Sequence, residues 1–177
     1  AMTRLFVELY SDAIIEEHYD AELAGIHYHL YAHQGGVTLQ VSGVSDKQGD
    51  LLVKLLARLL TPNFQEKQFN LFKKQLLNQW EQADKNKSIS QLFSTLSSLM
   101  QPNNPTSELL REGLSAISFK DFLLFSKQLF TNISIETLIH GNWQKTHAKE
   151  ISDMIEKSFK NSANDKNKVL CPVLDIA

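Results

Sequence analysis

The stretch Gly25-Ile26-His27-Tyr28-His29-Leu30-Tyr31-Ala32-His33-Gln34-Gly35-Gly36-Val37-Thr38-Leu39-Gln40-Val41-Ser42 changes the rhythm of the chain. Ahead of it, Leu5, Phe6, Leu9 and Ala13 recur at three- and four-residue spacing, as on a helix. Inside it the period is two. Ile26, Tyr28 and Leu30 alternate with His27, His29, Tyr31 and His33, which predicts a strand with one buried face. Gln34-Gly35-Gly36 supplies a hairpin turn, and Val37, Leu39 and Val41 alternate with Thr38, Gln40 and Ser42 in a second strand.

Working outward, the leading segment from Leu5 to Gly25 predicts a helix in two pieces. Ser11 and Asp12 would cap the second piece, and Gly25 would close it. Beyond the hairpin, Asp46 is a candidate cap for a helix with the stripe Leu52, Leu55, Leu56 and Leu59. A further helix follows Thr61-Pro62 through Phe69, Phe72, Leu76 and Trp80. After the polar break Asp84-Lys85-Asn86-Lys87, a short helix carries Leu92, Phe93, Leu96 and Met100. The loop Gln101-Pro102-Asn103-Asn104-Pro105 leads to a short helix over Ser107 to Leu114. Ser118-Phe119-Lys120-Asp121 has the serine-to-acid spacing of a capping box opening a helix through Phe122, Phe125 and Leu129.

Alternation returns at Ile133, Ile135, Thr137 and Ile139, a third predicted strand that stops at Gly141-Asn142. The last helix runs from Thr146 to Phe159 with Ala148, Ile151, Ile155 and Phe159 on one face. The order predicts an α+β domain in which a small antiparallel sheet is covered by helices. Its bounds are residues 3–160, with 161–177 a polar C-terminal extension or linker. Three strands are few for so many helices, and Ala1-Met2 reads as an added scar. The expectation is therefore a fold truncated at its N-terminus, with strands upstream.

Composition narrows the functional classes. An apolar fraction of 42% with 10 Phe provides a hydrophobic core. Eighteen basic and 20 acidic residues nearly balance, and no Lys/Arg cluster tracks one face. Nucleic acid and an anionic membrane are thus not the expected partners. The single Cys171 builds neither an intrachain disulfide nor a cysteine-based metal site.

Histidines are the side chains with the most chemistry to offer. His27, His29 and His33 share one parity and so one strand face, and two histidines at i and i+2 are a usable zinc pair. From His29 to His33 the strand advances about 13 Å, too far for three ligands on one ion. No acid on that face orients the rings, so a polar face of ordinary imidazoles is the plainer reading. Glu16, Glu17, His18 and Glu22 form a second group, in which His18 and Glu22 are helical neighbours on a solvated face. No nucleophile elbow, P-loop or dinucleotide fingerprint occurs.

Three places together resemble the middle region of the insulinase/pitrilysin family of zinc metallopeptidases. They are Glu22-Leu23-Ala24-Gly25 before a tyrosine-containing strand, Val41-Ser42-Gly43-Val44-Ser45-Asp46-Lys47-Gln48 at the hairpin end, and His140-Gly141-Asn142 before the final helix. The resemblance spans Leu5 to Phe159. It implies four related α+β domains arranged as two halves around a closed chamber, with an inverted zinc motif, His-x-x-Glu-His, on the first helix of the first domain. Here the corresponding turn is Leu5-Phe6-Val7-Glu8-Leu9. Leucines stand at both histidine positions, and only Glu8 keeps its type. A leucine has no lone pair to give a metal. The distal acidic ligand that the resemblance implies would fall near Gln75 and Leu76, and Glu81 is the nearest acid. Glu17-His18 imitates the end of the motif, but Ile14 replaces its first histidine.

The resemblance therefore implies a non-catalytic third domain with no metal and no cofactor of its own, zinc being held by the parent's catalytic domain. Its implied partners are neighbouring domains and peptide substrates, with His27, His29 and His33 as substrate-facing candidates. Two other readings stay open: a free-standing interaction scaffold of the same superfamily, and a small metal-binding protein using His27 and His29. For compartment, the resemblance implies the periplasm for a Gram-negative parent and mostly the cytosol for insulin-degrading relatives. The residues themselves do not choose.

Overall fold

The structure is a computed structural model that describes residues 1–33, 35–43, 47–83, 85, 88–101 and 104–159, without the side chains at 16 and 17. Its elements, in chain order, are α1 (Met2–Leu23), β1 (Ile26–His33), β2 (Gly36–Gly43), α2 (Gln48–Leu60), α3 (Glu66–Ala83), α4 (Ser88–Met100), α5 (Ser107–Ser115), α6 (Phe119–Gln128) and α7 (Lys145–Ser158). The expected cap Asp46 and the extension 161–177 lie outside the described residues.

The predicted hairpin forms, antiparallel, with Leu30 opposite Leu39 and His29 opposite Gln40. Its open end is closed by two glycines. Gly25 sits at φ 78° just past the end of α1, where a side chain would strain the left-handed turn. Across the strands, a Cβ on Gly43 would stand 2.6 Å from the Gly25 carbonyl oxygen. Only a residue without Cβ lets the strands meet there.

Two expectations need correction. The leading helix does run in two pieces, but Ser11 and Asp12 lie inside the first of them rather than capping the second. Its irregularity comes later, at His18, where φ is −124° and ψ 17°. The Tyr28 hydroxyl donates to the Ile14 carbonyl at 3.4 Å, the acceptor that the His18 N–H would use in a regular helix. The second correction concerns Ile133 to Ile139. Among the described residues the sheet has two strands only, and this segment contributes a single bridge residue at Ile133. Alternation reports an extended chain with unlike faces, but a ladder also needs a neighbouring edge to pair with.

What holds the domain together is aromatic. Phe119, Phe69, Phe122, Phe64, Phe6, Phe130 and Phe159 form an unbroken ring-to-ring chain, with centroid separations between 5.3 and 6.2 Å. It ties α1, α3, α6, the end of α7 and two connecting segments into one core. Such tilted and edge-on pairs add about 0.5–1.5 kcal/mol each beyond the area they bury. Polar links fix the helices in register around it. The buried Tyr10 hydroxyl donates to the Leu55 carbonyl at 2.7 Å, locking α1 to α2. Gln68 donates to Asp12 at 3.1 Å, locking α3 to α1. Lys73 donates to the Ser115 and Ile117 carbonyls at 2.9 and 2.7 Å, satisfying acceptors at the end of α5.

The capping box read from sequence is present. Ser118 Oγ accepts from the Asp121 N–H, and the Asp121 carboxylate accepts from the Ser118 N–H at 3.1 Å. The Ser118 hydroxyl also donates to that carboxylate at 2.5 Å and, ahead of the Ser118 N–H, holds the Asp121 carboxyl below its ordinary value. In α2 the predicted stripe is off by one at its start, because Leu51 is buried and Leu52 only half-buried.

Candidate functional site

Two places carry the sequence-level candidates: the first turns of α1 and the outer face of the hairpin. On α1, positions 5 and 9 are one helical turn apart and share a face. Leu5 is 0% and Leu9 2% exposed, both inside the core, while Glu8 on the adjoining face is exposed. The residues at the implied distal position behave likewise. Leu76 on α3 is buried, and Gln75 and Glu81 are exposed. At both histidine positions of the turn, buried hydrocarbon stands where a lone pair would be needed. The donor set of this turn does not fit zinc, and no catalytic step is derived through it.

The hairpin places its histidines on the other side. Ile26 and Leu30 are buried and Tyr28 half-buried against α1, whereas His27, His29, Tyr31 and His33 all face out. On that outer face the rings follow one another along the strand: His29 stacks on Tyr31 at 5.6 Å and 27°, and Tyr31 meets His33 tilted, at 6.2 Å and 51°. His33 has both ring nitrogens engaged. Nδ1 accepts from the Gly35 N–H at 3.1 Å, which leaves Nε2 as the protonated nitrogen facing Thr38 Oγ1 at 3.0 Å. A ring held this way caps the turn and offers no free lone pair to a cation. Among the described residues, no group of three or more His, Cys, Asp or Glu is placed to hold a metal.

His18 is placed differently from the surface pairing with Glu22 that its spacing suggested. Its ring lies edge-on to Tyr28 at 6.0 Å, and its Nε2 is buried with no hydrogen-bond partner. The Tyr28 phenol is held above its ordinary 10.0, first by burial and then by the negative charge of Glu22. The fold therefore favours the neutral phenol. That contribution is fully present below pH 10 and is lost as pH rises through the raised value. An ultraviolet phenolate titration should lose a late-ionising component in Tyr28→Phe.

One feature of the surface was missed in the sequence: α4 buries none of its side chains. The signal available was its lack of any charged residue from Ser88 to Met100.

Residues 1–112 match the family described as the middle or third domain of peptidase M16. This chain belongs to that family. Human insulin-degrading enzyme is 32% identical over 93% of the M16 chain, which spans 16% of the relative's length. The Drosophila melanogaster insulin-degrading enzyme is 25% identical over 96% of the chain, with 17% of its own length covered. A Schizosaccharomyces pombe relative named as a zinc protease is 28% identical over 88% of the chain. In three dimensions, a crystal structure of pitrilysin superimposes with a TM-score of 0.83 at 20% identity, covering 92% of this chain and 17% of that one. The shared architecture is the mostly helical fold with its small antiparallel hairpin. This M16 middle domain thus corresponds to about one-sixth of the length of the curated relatives it matches.

Proposed function

We propose that this M16 middle domain, residues 3–160, is non-catalytic and works as chamber wall in a zinc metalloendopeptidase. In that reading it makes inter-domain contacts that confine peptide substrates, while another domain holds the zinc and cleaves. The observation that carries the proposal is the burial of Leu5 and Leu9 in the core. The turn that would present two imidazoles to an ion instead anchors the helix. Residues 161–177 are the linker onward in this reading.

The outward His27, His29, Tyr31 and His33 would then face the confined peptide. The His29–Tyr31–His33 row, stacked at its first pair and tilted at its second, gives an aromatic surface with Thr38 and Gln40 beside it. Such a surface suits extended peptide of mixed sequence, because ring faces and neutral hydrogen-bonding groups discriminate weakly.

The test uses the isolated chain. Metal analysis after dialysis against micromolar zinc, with a fluorogenic peptide assay alongside, should give no stoichiometric zinc and no cleavage above buffer. One tightly held zinc per chain, or turnover that a chelator stops, would contradict the proposal. Calorimetric zinc titration of the His27→Ala/His29→Ala variant separates the remaining alternative: histidine-dependent binding would favour a small metal-binding protein.

A further inference from the structure

We propose that α4 is the face through which this domain docks on an uncharged apolar groove of another domain of the same polypeptide. The inference rests on the reading above and adds the surface that makes the contact. Ile89, Leu92, Phe93, Leu96, Leu99 and Met100 recur at the spacing of a single helical stripe, and every one is exposed, from 44% at Met100 to 70% at Leu99. The two half-buried residues of α4 are Ser97 and Ser98. The helix thus turns its hydrocarbon to solvent along its whole length. Its hydroxyls are also spoken for locally: Thr95 donates to the Gln91 carbonyl at 2.9 Å and Ser98 to the Thr95 carbonyl at 2.8 Å. A cluster of exposed large apolar side chains on one element marks a contact surface.

Chemistry and area together select the occupant. With no charge from Ser88 to Met100, the stripe would desolvate any charged group facing it without compensating it, so the matching surface is apolar and neutral. A basic polar face, as on helices that lie on anionic membranes, is absent from α4. Thirteen residues make a helix about 20 Å long and about 10 Å wide. One face of it supplies well under the ~800 Å² per partner that holds two free proteins together. A second copy of this chain is therefore a poor occupant. Domains joined in one chain associate through contacts that start at about 600 Å² in total, because the linker sustains a roughly millimolar effective concentration. The chain's share of its relatives, 16% of the length of human insulin-degrading enzyme, leaves ample polypeptide to provide the groove.

Hydrogen exchange read out on residues 88–100 tests this, in the 177-residue chain and in the longer polypeptide of its gene. The expected result is exchange at least about tenfold slower in the longer polypeptide. Leu92→Glu/Leu96→Glu should return that exchange to the rate of the isolated chain. Because both side chains are exposed, the same pair should leave the isolated chain's thermal midpoint unchanged. Equal exchange in the two contexts would overturn the proposal. A concentration-dependent dimer of the isolated chain that the variant abolishes would assign α4 to a second copy and overturn it too. So would variant-sensitive sedimentation with phosphatidylcholine–phosphatidylserine vesicles. Zinc or turnover in the isolated chain would remove the functional reading while leaving this exchange result standing. Equal exchange would remove the docking face and leave that reading untouched.

Discussion

Phe6→Ala is expected to destabilise the domain by about 3–5 kcal/mol, the cost of emptying a large aromatic site in a close-packed core. Phe6 is 0% exposed and is the ring through which the aromatic chain passes from one half of the core to the other. It meets Phe64 edge-on at 5.5 Å, Phe130 at 5.7 Å and Tyr10 at 6.3 Å. Alanine would break all three contacts, and backbone on a helix cannot collapse far enough to refill the space. For a chain of this length the thermal midpoint should fall by roughly 6–20 °C. Phe93→Ala is the matched control. It too removes a phenylalanine from an amphipathic helix, but its ring is 60% exposed, and the change should stay within about 0.5 kcal/mol of the parent. Chemical denaturation of both variants decides the matter, and equal losses would mean that the core is placed wrongly.

Restoring the zinc motif by Leu5→His/Leu9→His is expected to damage the fold without creating a metal site. Both positions lie in the core, at 0% and 2% exposure. Two imidazoles there lose the packing of the leucines and bury ring N–H groups with no provided acceptor, at a combined cost of roughly 4–8 kcal/mol. That is comparable to the whole stability of an ordinary domain, about 5–15 kcal/mol. A zinc ion could offset the loss only with a third donor and room to enter. Leu76 is buried hydrocarbon, and Gln75 and Glu81 are exposed. Thermal melts with and without zinc are the check: a lower midpoint insensitive to zinc is expected. A midpoint that zinc raises by many degrees would show that the site was only two side chains away.

These two variants also mark where local sequence stops being informative. Element type was legible almost throughout, since the periodicities of α1, α3, α7 and the hairpin are set by backbone geometry alone. The capping box at Ser118 and Asp121 was legible for the same reason, because both partners lie within one turn. The kink at His18 was not. It shows only in the folded chain, one turn beyond the Ile14 carbonyl that Tyr28 reaches from another element. The candidate site divided in the same way. That leucines at positions 5 and 9 cannot ligate zinc follows from their chemistry, and that His27, His29 and His33 share a face follows from strand parity. That His33 spends both ring nitrogens on Gly35 and Thr38 became visible only with the turn folded around it.

The sequence by itself determined the α+β class, the hairpin and the resemblance to the M16 peptidases. Tertiary structure alone decided which stripes are covered. Phe93 and Phe6 sit in similar local patterns, yet one faces solvent and the other is sealed. Ile133 to Ile139 alternates as convincingly as β1, yet forms no ladder among the described residues. The reason is that periodicity reports a face seeking burial, a property of one segment. Burial itself is a relation between two surfaces, and the second surface lies far away along the chain.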